Sequence, residues 1–204
     1  MTTKQPNARE RILDVAQQKI LNKGYAATSI DEIRNEAHIT KGGFFYHFNG
    51  KNELALALVE RYLDNDEVFF NSLFKRAETL SEDPLQQMLL FLKLLAEAMG
   101  DIPNGHPGCL VAAFIYQSMQ FEDNVLELIA RGMLDWRQLF KKHLDKVSEK
   151  YPMKAEVSTD ELADNLTVII EGAIVKSLVL KDPPILSKQI LHYRNYIRLL
   201  FDSV

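Results

Sequence analysis

The sequence predicts an all-α fold of about nine helices, three short ones at the N-terminus and six longer ones after them. Apolar residues recur three and four positions apart, and no alternating apolar–polar run of useful length occurs. The 204 residues include only nine glycines and seven prolines, mostly at breaks between helical segments. An apolar content of 47% is ample for a core.

The three short helices carry local start and stop signals. The first is predicted over residues 8–23, where Gly24 supplies the residue type that most easily ends a helix. Ser29 and Glu32 form a capping box for the second helix. Thr40 is the predicted N-cap of the third, after a three-residue break. A short helix, a break and a second short helix are typical of a helix-turn-helix.

The remaining segments are longer. We predict helices over residues 52–79, 84–99, 109–120, 123–150, 159–180 and 185–201. The glycine- and proline-rich run 100–108 is the clearest loop in the chain. We therefore expect a three-helix helix-turn-helix domain over 1–51 and a larger helical domain for ligand binding and dimerisation over 52–204.

Charge is distributed unevenly between these two predicted domains. Residues 1–51 hold eight Lys and Arg against five Asp and Glu, whereas 52–204 hold sixteen against twenty-three. The net charge of −4 therefore conceals a basic N-terminal module. Such a module suits contact with phosphates, although an excess this small also arises by chance.

The third short helix has the composition of a helix that lies in the DNA major groove. Gly42 and Gly43 lack a Cβ atom and allow close approach to DNA. Lys41, His47 and Lys51 supply groups for phosphates or base edges.

Its aromatic residues divide between two faces. Phe44 and Phe48, four apart, should face the core, whereas Phe45 and Tyr46 face outward toward a thymine methyl or a phosphate. The alternative is a small helical domain in which the phenylalanine-rich helix is only core.

The string GYAATSIDEIRNEAHITKGGFFYHFNGKNEL resembles the signature of the TetR family of transcriptional regulators, with a close match over residues 9–58. The resemblance implies a homodimer built from the last two helices, a pseudo-palindromic DNA operator and a small-molecule effector. Repression relieved by the effector is the common case in that family. The function that we expect is therefore a ligand-responsive, DNA-binding transcriptional regulator, most often a repressor.

The resemblance also carries contacts over by position. Thr28, Thr40, Lys41, Gly43, His47 and Lys51 match the family's DNA contacts, and Gly42, Phe45 and Tyr46 complete our candidate set. Three positions depart from the family pattern. Phe45 replaces a tyrosine, His38 replaces a turn glycine, and Gly50 replaces the serine that caps the fourth helix.

The last two helices offer a broad apolar surface for a partner chain. The predicted dimer residues are Leu166, Ile169, Ile170, Ala173, Ile190, Tyr193 and Ile197. The alternative is that both apolar stripes face the core of a single chain. Two-fold symmetry would match a pseudo-palindromic operator with half-sites about one helical turn apart or a multiple of it.

The middle helices are rich in Phe and Met, which suits a pocket for an apolar or aromatic effector. The predicted lining is Phe70, Phe91, Cys109, Phe114, Tyr116, Gln117, Trp136 and Phe140. Taken one by one, most of these residues could equally be plain core. Cys109 follows a flexible loop and begins a helix, so a redox- or electrophile-sensing regulator is an alternative.

An enzyme or a helical adaptor that does not bind DNA is the remaining alternative. The chain has no nucleophile elbow, phosphate loop or zinc-protease motif, and its five histidines lack ligand spacing. We expect no catalytic residues, no cofactor, no metal and no membrane span. A single cysteine and an N-terminus without a secretory signal fit the cytoplasm.

Overall fold

A computed structural model describes residues 7–117, 119 and 121–201 of the chain. Within them it contains nine α-helices. These are α1 (Ala8–Lys23), α2 (Ile30–Glu36), α3 (Lys41–His47), α4 (Lys51–Leu80), α5 (Pro84–Gly100), α6 (Leu110–Ile115), α7 (Asp123–Lys150), α8 (Thr159–Leu180) and α9 (Pro184–Phe201). The predicted all-α class is confirmed, and no helix in the described residues is long and apolar enough to cross a membrane.

Helix boundaries agree with the sequence wherever a local signal exists. Ser29 and Glu32 form the predicted capping box, with each side chain bonded to the other residue's backbone N–H. Asp83 caps α5 and accepts a hydrogen bond from the backbone N–H of Gln86. The largest error is α6, which ends at Ile115 instead of residue 120, because no capping residue or proline marks that end.

The chain divides into two compact units, and their boundary differs from the one expected after residue 51. The first unit comprises Met1–Asp64 and Cys109–Arg131, and the second comprises Asn65–Gly108 and Gly132–Val204. Helices α4 and α7 therefore contribute to both. No local pattern indicates that α6 joins the first unit, because that association depends on long-range contacts.

The first unit packs α1 against α2, α3 and α6. The apolar stripe of α1 is fully covered, since Ile12, Leu13, Ala16 and Ile20 are all buried. Ile33 of α2 is also buried. This small core fixes the orientation of α3.

The second unit includes a layer in which α9 packs against α5 and α8. Its aromatic centre is a stack in which the Phe74 ring lies between Phe91 and His143, at centroid distances of 3.7 and 3.6 Å. The Tyr193 hydroxyl donates to the Leu162 carbonyl at 2.7 Å and ties α9 to α8. Burial and the nearby Lys146 and Lys142 lower the pKa of His143 to about 4, so this imidazole is neutral.

Most of the predicted dimer residues of α8 and α9 are covered by the chain's own packing. Five of the seven are buried within the chain itself, namely Leu166, Ala173, Ile190, Tyr193 and Ile197. Ile169 and Ile170 are half-buried. The most strongly periodic apolar stripe therefore packs on neighbouring helices of the same chain. A second set of large apolar side chains is exposed instead: Val168, Val175, Leu178, Val179, Leu180, Leu191, Tyr196 and Leu199.

Candidate nucleic-acid interface

The turn between α2 and α3 is fixed by local hydrogen bonds. His38 adopts the left-handed conformation, with φ of 54°, which is the conformation that a glycine would adopt at this position. The Ile39 N–H then donates to the Arg34 carbonyl at 2.8 Å. Thr40 caps α3, because its hydroxyl accepts from the Gly43 N–H at 3.0 Å. The turn therefore keeps its geometry at the cost of strain at His38.

Helix α3 presents one face to the core and the other to solvent, as predicted. Phe44 and Phe48 are buried against the other helices of the unit. The Phe45 ring is 42% exposed and Tyr46 is 85% exposed. Two large aromatic groups left in water on a short, firmly anchored helix form a surface suited to recognition.

The paired glycines have different roles. A Cβ atom built at Gly42 would have no neighbour within 4 Å, so nothing inside the described chain requires glycine there. A Cβ at Gly43 would lie 3.0 Å from Cγ2 of Ile39 and 3.2 Å from Oγ1 of Thr40. Gly43 therefore serves the turn, and Gly42 keeps surface space open.

Basic side chains around α3 are unequally available. Lys19 pairs with Glu36, Lys23 with Glu32 and Arg34 with Asp31. Lys41, at the start of α3, is exposed and has no ion pair within the described residues. Lys41 therefore leaves a positive charge without an ion-pair partner, among the described residues, at the start of α3.

Lys51 is held more tightly than the sequence suggests. Its Nζ donates to the Tyr25 carbonyl and lies 4.1 Å from the centroid of the Tyr25 ring. Burial, with a smaller effect from Lys23, lowers its pKa below the usual lysine value. Lys51 thus joins the start of α4 to the α1–α2 turn, and one of its three N–H donors is already used.

Thr28 does not present its side chain to solvent. It is completely buried, and its hydroxyl donates to the Gly24 carbonyl at 2.8 Å. The exposed N-cap of α2 is the next residue, Ser29. The predicted phosphate contact through the Thr28 side chain is therefore incompatible with this structure, because its only polar atom is covered.

The start of α4 is better stabilised than Gly50 implied. The Glu53 carboxylate accepts from the backbone N–H of Asn49 at 2.7 Å and from its side-chain amide at 2.8 Å. These two hydrogen bonds fix the α3–α4 connection without a serine cap.

The segment after α6 holds the α1–α2 turn from the other side. The Gln117 side chain accepts from the Ala26 N–H at 2.9 Å. The Tyr25 ring packs against Phe114 and Phe121, with centroid distances of 5.6 and 4.2 Å. Sequence reasoning missed this role, since residues about 90 positions apart leave no local signal.

The predicted pocket residues consequently separate into two groups. Phe114 and Gln117 belong to these contacts of the first unit, and Tyr116 is 78% exposed. Cys109 accepts a weak hydrogen bond from the Ala112 N–H and acts as the N-cap of α6. In the second unit the structure brings three predicted residues together, Phe70, Phe91 and Phe140, with ring centroids 5.1 to 6.5 Å apart. Trp136 is half-buried in that unit.

Comparison with known proteins agrees with this arrangement. A family model described as "Bacterial regulatory proteins, tetR family" matches residues 12–58, and one described as "Tetracyclin repressor-like, C-terminal domain" matches residues 87–192. The transcriptional regulator AcuR of Cereibacter sphaeroides is 25% identical over 87% of this chain and 80% of its own length. The transcriptional repressor DhaR of a Mycobacterium species is 22% identical over 82% of this chain and 81% of its own.

Solved structures share the fold at low identity. A regulatory protein TetR from Rhodobacter sphaeroides superposes with a TM-score of 0.74 at 23% identity and covers 94% of this chain and 99% of its own. The reduced form of Escherichia coli NemR gives a TM-score of 0.78 at 14% identity, over 98% and 100% of the two chains. With both family models matched in order along its length, the chain belongs to the TetR family of bacterial regulatory proteins.

Proposed function

We propose that this protein is a ligand-responsive transcriptional regulator that binds DNA through the exposed face of α3. The observation that carries the proposal is the contrast within one short helix. Phe44 is buried, whereas Lys41, Gly42, Phe45 and Tyr46 face solvent. Two adjacent exposed aromatic rings beside an exposed lysine form the kind of surface that a binding partner covers.

Each exposed group has a separate role on the duplex. Lys41 and the Tyr46 hydroxyl reach phosphates or base edges, and the Phe45 ring contacts a thymine methyl. Gly42 leaves room for the DNA backbone. Half-buried His47, whose ring meets Tyr46 at a centroid distance of 5.0 Å, orients that side chain.

Two copies of the chain associate through the exposed apolar side chains of α8 and α9. Val175, Val179 and Leu199 remain 43 to 75% exposed although they are large and apolar. Burying them in a two-fold contact would remove this surface from water and duplicate α3 for an inverted-repeat operator. This surface replaces the buried stripe that the sequence suggested.

Effector binding is transmitted through α4, α7 and the segment after α6. Both long helices have residues in each unit, and Gln117 and Phe121 fasten the segment after α6 to Ala26 and Tyr25 of the α1–α2 turn. An effector that binds better to one arrangement of these helices shifts the position of α3 by its differential affinity for the two states. The similarity to a repressor supports release from DNA as the outcome.

Selection from a random duplex pool tests DNA recognition for every possible operator sequence at once. Purified full-length protein should enrich sequences with an inverted repeat whose half-sites are separated by about one helical turn or a multiple of it. Enrichment of no sequence at moderate salt would overturn the proposal. A single enriched half-site without its repeat would contradict the dimer.

Oligomeric state in solution tests the proposed interface directly. Leu199→Glu should convert a dimer into monomers, because a charge at the centre of the contact loses its water. Val68→Glu is the matched control, since Val68 is 71% exposed on α4 and lies outside α8 and α9. Light scattering that finds both variants dimeric would place the interface elsewhere.

A further inference from the structure

One carboxylate in the second unit has no partner among the residues that the structure describes. Asp66 of α4 makes neither a hydrogen bond nor an ion pair with any of them. Burial alone raises its pKa to about 7. Every other Asp or Glu in the described ranges whose pKa is shifted has a hydrogen-bonding partner that lowers that pKa. For Asp83, burial raises the pKa, but hydrogen bonds from Lys150 and Tyr151 lower it by more. The packing of the described residues therefore does not explain why a carboxylate occupies this half-buried position.

The position of Asp66 on α4 places it at one end of an apolar face. Phe70 follows four residues later and Phe74 eight residues later, which is the spacing of one helical stripe. Phe74 is buried in the aromatic stack, and Phe70 lies 5.1 Å from Phe140. The carboxylate thus stands on the face of α4 that contacts the core.

Asp66 remains partly accessible to solvent. Its side chain is half-buried, and neither carboxylate oxygen is completely covered. Phe69 and Phe70, three and four residues further on, are also half-buried, with ring centroids 5.6 Å apart and planes inclined by 52°. Asp66, Phe69 and Phe70 thus form a half-buried cluster on α4 that combines one carboxylate with two aromatic rings.

We propose that this cluster of Asp66, Phe69 and Phe70 binds an organic cation carrying a tertiary or quaternary ammonium group. The electron-rich faces of aromatic rings attract such a cation, and a carboxylate that lacks a partner in the described chain neutralises it. That the cation is also the effector rests on the ligand-responsive function proposed above. An effector of this kind carries a positive charge, whereas the sequence predicts only an apolar or aromatic molecule.

Three matched probes test the charge preference on full-length protein in the absence of DNA. These are benzyltrimethylammonium, its uncharged carbon isostere neopentylbenzene, and benzenesulfonate. Calorimetry should find the cation bound at least about tenfold more tightly than the neutral isostere, and the anion bound most weakly. Equal affinity for the cation and the neutral isostere would overturn the proposal.

Two variants test whether the preference for the cation depends on this cluster. Asp66→Asn should lose the cation preference while keeping the affinity for neopentylbenzene, and it should melt at a higher temperature at pH 8 because a buried amide costs less than a buried carboxylate. Glu67→Gln removes an exposed carboxylate one residue away and should change neither property. An Asp66→Asn protein that binds the cation as tightly as the wild type refutes the assignment.

Operator release separates this inference from the function on which it rests. The cation should release a selected operator from the wild type but not from Asp66→Asn. Release of both proteins by a neutral aromatic compound alone would keep the regulator and refute the cation site. Cation binding without any operator binding would keep the site and refute the regulator.

Discussion

The exposed face of α3 and the core-facing side of the second unit hold their polar chemistry in opposite environments. Lys41 and Tyr46 lie in water, where a charge or a hydroxyl costs the fold almost nothing. His143 stacks on the Phe74 ring, and Asp66 is half-buried one helical turn before Phe70. Burial shifts the pKa of each group in the direction that favours its neutral form. Changes to the first region should therefore alter DNA affinity with little effect on stability, whereas changes to the second should alter stability and its pH dependence.

The largest expected effect is the pH dependence that His143 gives to stability. Its pKa is about 4 in the folded protein and about 6.5 when unfolded, so the unfolded state binds more protons between these values. Stability from this group is therefore lost as the pH falls from about 6.5 to 4. The loss between pH 7.5 and 4.5 should be about 2–3 kcal/mol larger for the wild type than for His143→Phe, measured by urea unfolding. Identical pH profiles would show that His143 is not buried as described.

Substitutions at the two glycines of α3 distinguish an effect on DNA binding from an effect on stability. Gly42→Ala should stabilise the helix by about 1 kcal/mol, since its Cβ meets nothing in the described chain. It should weaken operator binding by about 2 kcal/mol, roughly thirtyfold, if the DNA backbone occupies that space. Gly43→Ala should instead be less stable than Gly42→Ala, because its Cβ crowds Ile39 and Thr40. Undiminished DNA binding by Gly42→Ala would remove that residue from the interface.

Two lysines ten residues apart make a second matched pair. Lys51→Met keeps the aliphatic stem but loses the hydrogen bond to the Tyr25 carbonyl, so stability should fall by about 1 kcal/mol. Lys41→Met should leave stability unchanged and reduce the salt dependence of DNA binding, since it removes one phosphate contact. Thermal melts and binding at several salt concentrations distinguish the two. A loss of stability in Lys41→Met with a reduced salt dependence in Lys51→Met would contradict these two assignments.

The smallest effect concerns the strained turn. His38→Gly removes the strain of the left-handed conformation but adds backbone entropy to the unfolded chain. The free energy of unfolding should therefore rise by only about 0.5 kcal/mol. His38→Val should lower stability, because a β-branched residue tolerates this conformation least. If urea unfolding ranks Val above Gly, the turn has another conformation.

The sequence predicted what depends on local signals. The capping box at Ser29, the cap at Thr40 and the inward Phe44 are all present, because each follows from residues within one helical turn. Helical periodicity also identified the strongest stripe of α9, which includes Ile190. It could not tell whether that stripe faces the chain's own core or a partner, since both bury apolar surface equally well.

Features that depend on distant contacts were not predictable. Gln117 was expected to line a pocket but bonds to Ala26, 91 positions away. Thr28 was expected to meet a phosphate but is buried. Nothing local in the sequence marks Asp66, because an aspartate on a helix is ordinarily solvated and only tertiary packing shows that this one is partly buried.

The most direct test of recognition through α3 is the affinity of a Lys41→Ala, Tyr46→Ala double variant for the selected operator. Both side chains are on the solvent-exposed face of α3. The free energy of unfolding of the variant should therefore lie within about 0.5 kcal/mol of the wild-type value. Fluorescence anisotropy should find a loss of affinity of about 100-fold, and Val68→Ala, an exposed change on α4, should lose none. A folded double variant that binds within about threefold of the wild type would contradict recognition through this helix.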